Sequence, residues 1–221
     1  MPLRFGLVAF PGVQLLDLAG PCDVFSAAPD TEVHILWKDP DPVISSCGLP
    51  LIPTTIFADC PPLDVLCVPG GAGVNALLVD EDALGFVRRQ AATARYVTSV
   101  CTGAMVLGAA GLLHGKRATT HWNALDFLDR LGAIPVEARV VRDGNLITAG
   151  GVTAGIDFGL TVIAELLGRE QAEAIQLALE YAPAPPFSAG TPAEAPRAVV
   201  ESVRAKYAAL RAAREKLLPL A

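Results

Sequence analysis

The chain is expected to form an α/β domain built on a doubly wound, mostly parallel sheet with helices on both faces and a hairpin at one edge. Three observations predict this. Strand-like and helix-like runs alternate along the chain; several strand-like runs, among them LDVLCV and YVTSV, are apolar without alternation; and 52% of residues are hydrophobic while only 18% are charged. Strands lacking a period of two are buried on both faces, as central parallel strands covered by helices are.

Taken in order, 4–10 reads as a strand, 15–27 as a helix and 32–38 as a strand, followed by a broken extended stretch over 43–55. A strand over 64–68, a helix over 81–94, a strand over 96–100, a helix over 102–110 and a strand over 117–120 continue the rhythm. After a helix over 123–131, the segment RVVRDGNLITAGG carries Asp143-Gly144 between two β-rich runs and predicts an antiparallel hairpin. Helices over 154–167 and 170–179 follow. The proline-rich stretch 182–196 cannot continue a helix and is expected to lie extended on the surface. A last helix over 197–217 packs on its own domain or on a second subunit. The 221 residues form one domain on this reading.

Net charge of −6, with scattered lysines and arginines, argues against a nucleic-acid partner. The apolar start of the chain is only a strand's length before Pro11 and Gly12 and carries no export signal. The uncharged stretch 96–114 is rich in Ser, Thr, Cys and Gly, so it reads as buried strand and helix rather than a membrane span. Five cysteines without a CxxC pair fit neither a disulfide framework nor a zinc knuckle, and imply a reducing, cytoplasmic setting.

In a doubly wound sheet ligands sit beyond the carboxyl ends of the strands. Cys101 falls there, between a strand and a helix, where a tight turn exposes the side chain and Gly103 relieves crowding behind it. Helix amides facing the sulfur are expected to lower its pKa and make a nucleophile; the alternative is an inert structural cysteine. Asp17 lies in the otherwise apolar run VQLLDLAGP. A buried lone carboxylate needs a partner or a raised pKa, so Asp17 is either a satisfied core acid or cap, or an acid set against Cys101 and sharing one proton with it. Gly70 and Gly71 leave a strand, and their amides could form an anion-holding nest opposite the sulfur. Gly150 and Val152 follow the hairpin at the same sheet end. His121 is either a base for Cys101 or a structural hydrogen-bonder. The segment from Gly71 to Ala76 satisfies G-x-G-x-x-A, but the next strand carries no ribose-binding acid, so no nucleotide cofactor is expected. The three histidines lack metal-ligand spacing, so no metal is expected either.

Several blocks in order, PGVQLLDLAGPCDVF, VPGG, VTSVCTGAMVLGAAGLLHGKRATTHW, ITAGGVTAGIDFGL and EYAPAPPF, resemble the ThiJ/PfpI superfamily of flavodoxin-like proteins with an elbow cysteine. The resemblance covers roughly residues 3 to 190. It implies Cys101 as nucleophile, Asp17 as its acid/base partner, Thr102 holding Asp17 in position, and a homodimer without a cofactor. Protease-like members place a histidine directly after the cysteine, where this chain has Thr102. Many members carry glutamate where this chain has Asp17. Within the superfamily the likeness is greatest to members that hydrate isocyanides to N-substituted formamides, which implies a small apolar isocyanide and water as substrates and apolar pocket walls. A glyoxalase or deglycase acting on α-oxoaldehydes, a redox sensor working through Cys101, and the sensing half of an AraC-type regulator are the alternatives. The residues after the proline-rich stretch are too few for a helix-turn-helix pair.

Overall fold

The computed structural model describes residues 1–218, so that 219–221 of the expected domain lie outside the described residues. Along the chain run β1 (Leu3–Val8), α1 (Leu15–Ser26), β2 (Thr31–Trp37), the short strands β3 (Val43–Ile44), β4 (Pro50–Leu51) and β5 (Thr55–Ile56), β6 (Val65–Val68), α2 (Val74–Leu77), α3 (Glu81–Ala91), β7 (Tyr96–Val100) and α4 (Gly103–Ala109). They are followed by β8 (Arg117–Ala118), α5 (Phe127–Arg130), β9 (Ile134–Pro135), β10 (Val140–Asp143), β11 (Leu146–Ala149), α6 (Ala154–Leu167), α7 (Arg169–Ala178) and α8 (Arg197–Glu215).

Seven strands form the main sheet in the order β10-β11-β7-β6-β1-β2-β5, parallel except for the β10–β11 hairpin at one edge. Every residue of β6 and β11 is buried, so both faces of the sheet are covered, as the unalternating apolar runs require. The direction of winding reverses between β1 and β6, and the crevice beyond their carboxyl ends is the topological switch point. Phe25 of α1 stacks on Phe5 of β1 with ring centroids 4.5 Å apart and meets the edge of Phe158 of α6 at 6.0 Å. These ring contacts fasten α1 between the sheet and α6.

The region after β7 departs from expectation. The helix expected over 123–131 is broken into a 3-10 turn at Trp122–Ala124 and α5, with the His121 side chain capping the turn through the Asn123 N–H. The strand expected to reach 120 stops at Ala118, because Thr119 and Thr120 turn to other partners: the Thr119 N–H donates to Thr148 Oγ1 and the Thr120 hydroxyl to the Cys101 carbonyl. The short α2 and β9 have no counterpart in the sequence pattern. The proline-rich stretch 182–196 lies mostly exposed, without helix or strand, as expected.

Helix α8 settles on its own chain. Arg211 pairs with Asp126 and donates to the Asn123 carbonyl; Arg130 donates to the carbonyls of Glu215 and Leu218; the Asn75 side chain donates to the Leu210 carbonyl at 3.3 Å.

Candidate active site

Cys101 sits at the end of β7 with φ of 54°. This left-handed conformation costs a β-carbon-bearing residue about 1–3 kcal/mol and persists only where its surroundings enforce it. They do so from both sides. Its N–H donates to the carbonyls of Gly150 at 2.8 Å and Ala149 at 3.1 Å, and its own carbonyl accepts the Thr120 hydroxyl at 2.7 Å. The sharp turn then needs a glycine two residues on, since a β-carbon at Gly103 would stand 1.9 Å from the Val68 carbonyl oxygen. Gly103 therefore does relieve crowding behind the elbow.

Asp17 is fully buried in the first turn of α1. Its Oδ2 accepts the Gly70 N–H at 2.9 Å, while Oδ1 has no partner of good hydrogen-bond geometry. Burial pushes its pKa up to about 7, against the lowering effect of the Gly70 amide and of an interaction with the Cys101 thiol. That interaction falls short of a well-formed hydrogen bond, as the unpartnered Oδ1 requires, yet it links the two groups electrostatically in both directions. The thiol itself is driven well above the usual thiol range, first by burial and then by the Asp17 charge, with the Thr102 amide opposing. The expectation that helix amides would leave Cys101 with a lowered pKa thus fails. The residue is only 6% exposed. Desolvation outweighs one backbone amide.

The other expected residues divide. The Gly70 and Gly71 amides do not form a free anion nest: the first is engaged by Asp17, and the second donates to Thr102 Oγ1 at 3.2 Å. The amide that faces the sulfur is that of Thr102. Thr102 makes no hydrogen bond to Asp17 either; its hydroxyl fixes Gly71, beside the glycine that fixes Asp17. Gly150 acts through its carbonyl on the elbow. Val152 and His121 line one cavity with Cys101. His121 accepts the Asn123 N–H on Nδ1, which leaves the proton on Nε2, and burial lowers its pKa. The ring is a neutral donor rather than a base for the thiol.

The cavity, of about 300 Å³, is walled on its outer side by Tyr207, Leu210, Arg211 and Arg214 of α8. Sequence reasoning missed this wall. The signal was there in spacing: Tyr207, Leu210 and Arg214 recur at helical intervals, so one face of α8 carries two large side chains and an arginine together. The walls are also more polar than expected, with Gln14, Ser46 and Asn123 beside Ala124 and Phe127. Among the described residues no group of three His, Cys, Asp or Glu side chains is arranged to hold a metal ion.

The arrangement sets two buried groups that can each carry a proton, Asp17 and Cys101, beside a partly open cavity that Cys101 lines. A model of the DJ-1/PfpI family matches residues 4–165. An isonitrile hydratase of Pseudomonas putida is 64% identical over 208 residues, covering 94% of this chain and 91% of that protein. The crystal structure of a ThiJ/PfpI family protein from Pseudomonas syringae superposes with a TM-score of 0.95 at 44% identity, covering 98% of this chain and 90% of the other. That of Drosophila melanogaster DJ-1beta does so with a TM-score of 0.72 at 25% identity, covering 83% of this chain and all of the other.

Proposed function

The chain belongs to the DJ-1/PfpI family, and from that footing we propose that it is an enzyme that hydrates small isocyanides to N-substituted formamides through Cys101. The observation that carries this reading is the pairing of a buried elbow cysteine with a buried carboxyl whose pKa is lifted to about 7, so that an acid able to donate near neutrality stands beside a sulfur able to attack. The high identity to an isonitrile hydratase supports the choice of substrate.

In the proposed reaction the pair starts with one proton between sulfur and carboxyl. The sulfur of Cys101 forms a bond to the terminal isocyanide carbon, and Asp17 delivers the proton to that carbon, giving a thioimidate and a carboxylate. The carboxylate then draws a proton from water as its oxygen adds to the same carbon, and that proton passes to the nitrogen. Collapse to the carbonyl breaks the carbon–sulfur bond, frees the formamide, and returns the hydroxyl proton to the pair. Isocyanide and water are consumed, formamide is formed, and the enzyme is restored. In this scheme the Thr102 amide, which favours the charged sulfur, steadies it at departure. No cofactor enters this scheme. A homodimer working in the cytoplasm completes the proposal.

The test is formamide formation from cyclohexyl isocyanide, followed beside loss of methylglyoxal. Wild-type protein is expected to produce formamide and Cys101→Ala none. Methylglyoxal consumption without formamide would replace this reading by the α-oxoaldehyde one.

A further inference from the structure

Arg214 is only 5% exposed, yet no carboxylate among the described residues pairs with it. Its Nε donates to Asn75 Oδ1 at 2.7 Å, Nη2 reaches the Gly71 carbonyl at a long 3.4 Å, and Nη1 makes no hydrogen bond to any described residue. Both partners are neutral. The contrast lies one turn away on the same helix, where Arg211 is matched by Asp126. A cation taken out of water without a counter-ion is costly, and proteins keep such a group where something else supplies the missing charge.

What supplies it must come through the cavity, since Arg214 lines the same space as Cys101. The sulfur is an incomplete partner. The Arg214 charge acts on Cys101 through space, but no hydrogen bond joins the two, and burial and Asp17 together drive the thiol's pKa well up, so a full counter-charge is missing. A guanidinium with one free nitrogen and one weakly held nitrogen presents the fork that receives a carboxylate on two bonds. His121, a neutral Nε2–H donor on the same cavity, adds a second donor.

We propose that Arg214 is a specificity-determining residue, and that the substrate is an isocyanide bearing a carboxylate on the group remote from the isocyano carbon. The isocyano end lies beside Cys101, while the carboxylate lies under α8. This rests on the isocyanide reading for the reacting end, but the anion site stands independently of it.

Two measurements keep the claims apart. Calorimetry with benzoate and with benzamide, matched in shape and differing in charge, probes the anion site without turnover. Wild-type protein is expected to bind benzoate at least about tenfold more tightly than benzamide, Arg214→Met to lose that margin, and Arg214→Lys to keep part of it. Equal binding of the two probes by wild type, or an unchanged margin in Arg214→Met, would overturn the proposal even if every variant folded poorly, because the first comparison needs no variant. In turnover, the kcat/KM ratio of para-isocyanobenzoate to phenyl isocyanide is expected to exceed one in wild type and to fall about tenfold or more in Arg214→Met. Benzoate selectivity without hydration of either isocyanide would leave the anion site and remove the hydratase reading; hydration of phenyl isocyanide with no carboxylate preference would do the reverse.

Discussion

Asp17 titrates near neutrality because folding strips water from a carboxyl that receives one backbone amide in return. Its pKa rises from 3.8 in an open chain to about 7 in the folded protein, so the protonated form favours folding. The stability this contributes is complete below the unfolded value and is lost as pH rises through about 7. Asp17→Asn removes the titration. Relative to wild type the variant should gain up to about 4 kcal/mol of stability between about pH 4 and pH 8, read as a wild-type Tm that falls more steeply over that interval. Parallel slopes in the two proteins would mean that Asp17 is not held near neutrality by burial. The same substitution should cut formamide production by about 10²–10⁴-fold, since an amide cannot deliver the proton. Cys101 and Asp17 were legible as a pair because a reactive thiol at a strand–helix turn and an acid in an apolar run are both anomalies of residue type. The direction of the thiol's pKa was not, because it depends on how completely the folded chain closes over the sulfur.

At the level of elements, the central strands could be read directly, since burial on both faces leaves an unalternating apolar run. A two-residue strand such as β9 could not, because only a spatial neighbour defines it. The turn between β7 and α4 is held by glycine and carbonyl placement. Gly103→Ala drives a β-carbon against the Val68 backbone, which has no flexible end to move. It should destabilise the protein by about 3 kcal/mol or more in chemical denaturation, or prevent soluble expression. Helix α8 is anchored from the other side by one asparagine that receives Arg214 and donates to the Leu210 carbonyl. Asn75→Ala leaves both groups without that partner and should cost about 1–3 kcal/mol, with KM raised more than kcat is lowered because the wall of the cavity loosens while its floor is untouched. A kcat effect alone would place Asn75 in the chemistry instead. The final helix was legible as a helix, but its seat was not, since an amphipathic face does not name what it packs on.

At the scale of the whole molecule, the surface retains large apolar side chains, Leu177 at 81% exposure and Phe187 at 79% among them. Such side chains suit burial against a second copy. Sedimentation equilibrium is expected to give twice the chain mass; a single-chain mass would contradict the dimer. No helix among the described residues is long and apolar enough to cross a membrane. The burial that governs Cys101 and Asp17 is itself a whole-molecule property, assembled from β1, β6, β7, α1 and the outer wall of α8. Its proposed consequence is one proton held between two groups. The rate of Cys101 alkylation by iodoacetamide against pH reads this most directly. In wild type it should rise in a step near pH 7, as the pair loses its first proton and a fraction of the sulfur becomes thiolate, with a second rise at higher pH; in Asp17→Asn the step near 7 should vanish. A single rise at high pH in both proteins would contradict the shared proton.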